Sequence, residues 1–131
     1  VTGAGVHVLS EVRGGSAEDP LGPGDPLEVA RLVRRVLARA RRRAVDVEAL
    51  ALVADAEPDP VTLARFTRRA LGPHGVSVRC DGAGEADLLH EARVGAVTAL
   101  AVARAAGGVA VAVALGPGDA VTVRCVVRDR D

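Results

Sequence analysis

Three places in this 131-residue sequence hold side chains whose types and spacing can do chemistry. The first is Asp55 with Glu57, carboxylates at i and i+2 of the kind that general acid–base catalysis uses in pairs. Directly after an apolar run, the same two residues also serve to close a loop. The second is His90 with Glu91, at the head of a long apolar segment. An imidazole beside a carboxylate can move a proton, and a polar first turn at an interface has the same composition. The third is the pair of thiols, Cys80 and Cys125, far apart in the chain. A metal would need His90, Cys80 and Asp55 from three loops with no paired-ligand spacing, so no metal is expected. Gly82, Ala83 and Gly84 can cradle a phosphate before a helix, but Glu85 and Asp87 in the same turn oppose an anion. The opening VTGAG is no dinucleotide fingerprint, because its glycines precede a strand instead of following one. No cofactor is expected.

Composition narrows the classes further. Seventeen basic residues balance seventeen acidic ones, so no net field points to nucleic acid or to an acidic membrane. Every basic residue is arginine, which excludes chemistry that needs a lysine amine. Phe66 is the sole aromatic residue, against the stacking platforms of single-strand binders. No cleavable leader is visible, and the two distant cysteines fit a cytoplasmic chain with reduced thiols. Arg39, Arg41, Arg42 and Arg43 cluster at a helix end, where they complement the helix dipole or form a dock for an acidic partner.

The elements that must position these residues follow from periodicity and punctuation. Gly5 to Val12 alternates as a strand, with Val6, Val8 and Val12 on one side. Asp25, Pro26 and Glu28 start a helix whose stripe is Val29, Val33, Val36, Leu37 and Ala40. Val47 to Ala54 is a continuous apolar run that suits a central parallel strand. Asp59 and Pro60 start a second helix with Leu63, Phe66, Ala70 and Leu71 buried, and Gly72 ends it. A short strand at Val76 to Arg79 precedes a helix over Leu88 to Ala106 that is apolar on all sides, which marks a buried helix. Its apolar part spans about half of a ~30 Å bilayer core, so it is not a membrane span. Val109 to Leu115 and Ala120 to Val127 form a hairpin across Gly116 to Asp119. The order βαβαβαββ makes residues 1–131 one α/β domain with a mostly parallel sheet closed by an antiparallel last strand.

Along nearly its whole length the chain resembles the C-terminal half of the thiolase-like fold, and within it the β-ketoacyl synthases. GVHVLSEV with its Gly/Ser/Asp loop is similar to the strand that opens that half. Leu88, Leu89, His90, Glu91, Ala92, Arg93, Val94 and Gly95 lie against the Gly-His-Leu-Glu-Ala-Ala-Ala-Gly motif, matching at Glu91, Ala92 and Gly95. The first family histidine falls on Asp55 and the second on Leu89, with His90 one place off; Arg79 is the nearest residue to the family lysine. The nucleophilic cysteine belongs to the N-terminal half. Ala54, Asp55 and Ala56 in place of a histidine motif are similar to chain length factors, the non-condensing partners of ketosynthases.

The resemblance implies a non-catalytic subunit of polyketide or fatty-acyl assembly, or, alternatively, part of a split condensing enzyme or acyltransferase whose cysteine comes from another chain. It implies a five-stranded sheet of order 3-2-1-4-5 and a dimer formed through the helix from Leu88 to Ala106; if Arg39, Arg41, Arg42 and Arg43 are a dock and not a solvated helix end, their acidic partner is one such as an acyl carrier protein. In that arrangement Val94, Val97, Ala101 and Ala105 form the outer side of the helix, the side that meets a second copy or a ketosynthase-type chain.

Overall fold

A computed structural model describes residues 5–14, 26–54, 59–72, 77–82, 89–105, 107–116 and 120–128. Two strands carry large side chains on one face and alanine on the other, and the layers follow from that difference. In β2 (Val47–Ala54), Leu50 and Leu52 face one cluster while Ala49, Ala51 and Val53 face a second. In β4 (Val109–Leu115), Val111, Val113 and Leu115 go to the first and Ala110, Ala112 and Ala114 to the second. Both strands are buried throughout except at Glu48, as strands covered on two faces must be. On the Leu/Val face lie α1 (Pro26–Ala40), through Val29, Val33, Val36 and Leu37, and α2 (Pro60–Leu71), through Phe66, Ala70 and Leu71. The Ala face takes α3 (His90–Arg104), through Val94, Val97, Ala101 and Val102.

The sheet has five strands in the order β1-β5-β4-β2-β3, with β1 spanning Val6–Gly14, β3 Ser77–Gly82 and β5 Val121–Arg128. β5 runs antiparallel to both β1 and β4, while β2 is parallel to β3 and β4. This corrects the expected order 3-2-1-4-5: β1 sits at the edge beside β5 instead of at the centre. The reason is chemical. Ser10, Glu11 and Arg13 interrupt β1, His7 and Val8 are exposed, and a charged, half-solvated strand belongs at an edge. A register shift between Val8 and Ser10 also breaks the simple alternation. Val6 therefore joins the cluster under α3, while Leu9 and Val12 join the opposite one.

The connections still place α1 and α2 on one face and α3 alone on the other, as right-handed crossovers require. Asp59 caps α2 by accepting from the Thr62 amide at 2.7 Å, and Gly72 closes it at φ 72°. Asp25, the expected cap of α1, lies outside the described residues. At the far end of α1, Arg41 at φ 58° takes the left-handed position; the Arg41 amide bonds to Ala38 and the Arg42 amide to Leu37. β3 reaches Gly82, three residues beyond the expected strand. Its Cys80 lies three strand spacings, about 14 Å, from the strand that holds Cys125, too far for a disulfide. Cys125 is free and buried, and burial pushes its thiol up to about 11.

The Ala face makes a quantitative demand on Ala112, which is 1% exposed beneath α3. Ala112→Leu is expected to cost about 1–3 kcal/mol by overpacking, whereas Val61→Leu, on the exposed side of α2, leaves stability unchanged. Urea denaturation of the two variants checks the contrast; an Ala112→Leu midpoint equal to that of the parent protein would show that α3 does not rest on this face.

Candidate functional site: the head and outer face of the third helix

Leu89 and His90 begin α3 side by side and point to different places. Leu89 is the N-cap residue, in extended conformation and 74% exposed, so it holds an apolar side chain in solvent. His90, one residue or about 100° further round, turns toward the β4–β5 connection. Its Nδ1 lies 2.7 Å from the Gly116 carbonyl and its Nε2 2.7 Å from the Thr122 hydroxyl. A carbonyl only accepts, so Nδ1 carries a proton, and in the neutral ring Nε2 accepts from Thr122, which is 2% exposed. Both ring nitrogens are thereby engaged with the chain itself. One turn on, Arg93 is fully buried and donates from Nη1 to the Leu115 carbonyl at 2.8 Å. The two side chains fasten the head of α3 to the end of β4 and the start of β5.

A chain of charges continues from this point. Arg13 on β1 grips Glu91 with two nitrogens, at 2.6 and 3.3 Å, and gives its Nε to Glu11 at 2.7 Å. Glu11 accepts in turn from Arg124 Nε at 2.8 Å, and Arg124 reaches the buried Thr98 hydroxyl of α3 at 3.3 Å. Partial burial opposes the ionisation of Glu11, but hydrogen bonds from Arg13 and Arg124 outweigh it and hold the carboxyl below its ordinary value. The Arg13 hydrogen bond does the same for Glu91. These residues tie the edge strand, β5 and α3 into one unit.

The outer side of α3 differs from the expected one. Val94, Val97, Ala101 and Ala105 are 0–3% exposed and face the sheet, because the alanines of β2 and β4 leave room for them. The solvent side is Ala92, Gly95, Ala96, Ala99 and Ala103, at i, i+3, i+4, i+7 and i+11. A Cβ on Gly95 would meet nothing within 4 Å. The described helix runs from His90 to Arg104; Leu88 and Ala106 lie outside the described residues.

Asp55, Glu57, Ala83, Gly84, Glu85 and Asp87 lie outside the described residues. Arg39, Arg41, Arg42 and Arg43 are exposed at the end of α1, on the opposite face of the sheet from α3. Among the described residues no three His, Cys, Asp or Glu side chains converge, and no helix is long and apolar enough to cross a membrane. Sequence reasoning missed Glu11, Arg13, Arg124 and Thr122. The alternation of Glu11 with Arg13 within a strand was the one signal for the charge chain.

No protein-family model and no curated protein matches the sequence. Solved structures do match the fold. The priming β-ketosynthase of the R1128 polyketide biosynthetic pathway is 11% identical with a TM-score of 0.62, covering 96% of this chain and 51% of that one. PKS-I of the brown alga Ectocarpus siliculosus is 11% identical with a TM-score of 0.61, covering 96% and 57%. The tetronic acid condensing enzyme AbyA1 is 16% identical with a TM-score of 0.62, covering 96% and 53%. The fold of the chain is therefore similar to part of the thiolase-like fold of those solved proteins, and the chain spans about half their length.

The charge chain has a testable pH signature. Glu11 and Glu91 titrate lower in the folded protein than in the unfolded one, so their contribution is complete above their ordinary value of 4.5 and is lost as pH falls through the lowered values. Glu11→Gln is expected to cost on the order of 1 kcal/mol or less at pH 7 and to flatten the fall in stability below about pH 4.5. Urea midpoints between pH 7 and pH 3 check this; parallel profiles for the parent and Glu11→Gln proteins would refute it.

Proposed function

We propose that the chain is a non-condensing, ketosynthase-like subunit that works by association, in the manner of a chain length factor, in polyketide or fatty-acyl assembly. The observation that carries this reading is the outer face of α3. Five small residues form a shallow, uncharged strip there, and at the head of the helix the charges beside it, Arg13, Glu11, Glu91 and Arg124, are paired with one another, while Arg104 is exposed at the other end. A helix with such a face admits a second helix at the short end of the usual 8–10 Å separation, and the pairing of the charges at its head lowers the cost of desolvating them. The partner in this reading is a second copy or a ketosynthase-type chain.

The chemistry supports the non-condensing part. Condensation in the family uses a cysteine thiolate and two imidazoles. In this chain the motif positions of those imidazoles hold Asp55 and Leu89, and the neighbouring His90 spends both nitrogens on Gly116 and Thr122. Loss of such groups costs many powers of ten in rate.

Two outcomes are expected. The purified chain does not decarboxylate malonyl thioesters above the uncatalysed rate, as followed by carbon dioxide release; turnover abolished by His90→Ala or Asp55→Ala would overturn the non-condensing reading. In solution at micromolar concentration, light scattering gives a dimer, or a heterodimer once a ketosynthase-type chain is added. Ala99→Glu, on the outer strip, yields a folded monomer, whereas Val97→Asp, on the sheet side, unfolds the protein. A parent protein that stays monomeric with and without such a chain would sink the association reading.

A further inference from the structure

The net charge of zero conceals a strong separation. Ten of the seventeen arginines lie between Arg31 and Arg69, on α1, α2 and the turn after α1, and all ten are exposed. α2 contains no acidic residue, and α1 contains only Glu28, in its first turn. A merely solvated helix face usually mixes signs at i, i+4 spacing, and these two helices do not. Among the described residues, the ion pair these arginines form joins Arg43 to Asp46 at 3.7 Å. Complementing the helix dipole accounts for the residues in the last turns, Arg39, Arg68 and Arg69. The dipole effect fades beyond one turn, so it does not account for Arg31, Arg34, Arg35 and Arg65, which stand earlier in their helices.

This arginine layer also has a feature that charge alone does not need. A shallow cleft of about 370 Å³ opens between the C-terminal ends of α1 and α2. Arg34 and Arg42 border it, and Leu37, Ala38, Ala70 and Leu71 line it. We propose that this cleft is a docking site for an acidic amphipathic protein segment, which places one apolar side chain between the helices and its carboxylates on Arg34 and Arg42. The proposal does not rest on the ketosynthase-like reading, and it lies on the face opposite the outer strip of α3.

Charge complementarity limits the occupant to an anion, and the lining selects among anions. A single nucleic-acid strand would seek aromatic side chains on which to stack its bases, and the layer's aromatic residue, Phe66, is 0% exposed. A duplex is read by an element that enters a groove, whereas α1 and α2 lie flat on the sheet. An anionic bilayer would be entered by large exposed apolar side chains, and near the arginines those are Val45 and Val61 alone among the described residues. A carboxylate-bearing segment with one apolar anchor uses both the arginine forks and the apolar lining.

The test uses the full chain and four labelled probes. These are a 15-residue helical peptide with Glu on one face and a single central Leu, the same peptide with Leu→Ser, a 20-nucleotide RNA, and vesicles containing 30% phosphatidylserine. At about 0.15 M salt the Leu peptide is expected to bind in the micromolar range by fluorescence anisotropy, with about tenfold weakening for Leu→Ser and again for the protein variant Arg34→Glu/Arg42→Glu. Both substituted arginines are exposed, so thermal melting of the double variant should match that of the parent protein, and Leu37→Ser is kept out of the test because Leu37 is part of the core. Equal binding of the Leu and Ser peptides, tighter binding of RNA or vesicles than of the Leu peptide, or no binding of the Leu peptide would each overturn the proposal.

Discussion

The structure depends on one steric constraint, the close seating of α3 on the alanine face of β2 and β4. Because Ala49, Ala51, Ala110, Ala112 and Ala114 present single methyl groups, the valines of α3 fill the space above them and no second helix is needed to complete that layer. The opposite face carries Leu and Val at the alternate positions of the same strands, and there two helices share the covering. Strand alternation thus decides how many helices each face carries. It also decides which side of α3 is left outward. With every branched residue of the central turns spent on the sheet, what remains for solvent is Ala and Gly.

That allocation explains both what was legible in the sequence and what was not. The bounds of β2, α2 and β4 follow from apolar runs and from the Asp59–Pro60 and Gly72 punctuation, which are local signals. The place of β1 was not local. Its sequence says strand, but its position depends on which neighbour tolerates Glu11 and Arg13, and only the partners Arg124 and Glu91, on β5 and α3, settle that. The face of α3 was obscure for another reason. With Ala, Val, Gly and Leu distributed around the helix, its amphipathic character rests on the small difference between valine and alanine, far weaker than a contrast between leucine and glutamate. The sheet reads that difference through the size of its own side chains.

The same reasoning separates net charge from charge distribution. Equal totals of acid and base describe the field far from the molecule, but within a Debye length of about 8 Å a partner meets the local surface. The charges at the head of α3 pair among themselves across β1, β5 and the helix, while those on α1 and α2 stand together with one sign. The two faces of the sheet therefore differ in electrostatics as well as in side-chain size.

The head of α3 shows how a one-residue offset redirects chemistry. A side chain at position 89 looks outward at the end of the strands, and a side chain at position 90 looks into the hairpin. An imidazole at the first position would have solvent and any bound ligand for partners. At the second it closes a hydrogen-bonded path from Gly116 to Thr122, beside the contact of Arg93 with Leu115. Unpairing the groups around His90 would strand the buried Thr122 hydroxyl, and leaving a buried polar group unsatisfied costs about 1–3 kcal/mol. Using His90 to carry a proton would therefore draw on the stability of the hairpin that positions it. The non-condensing part of the proposal draws on that cost, because the imidazole of His90 is already committed to holding the helix in place.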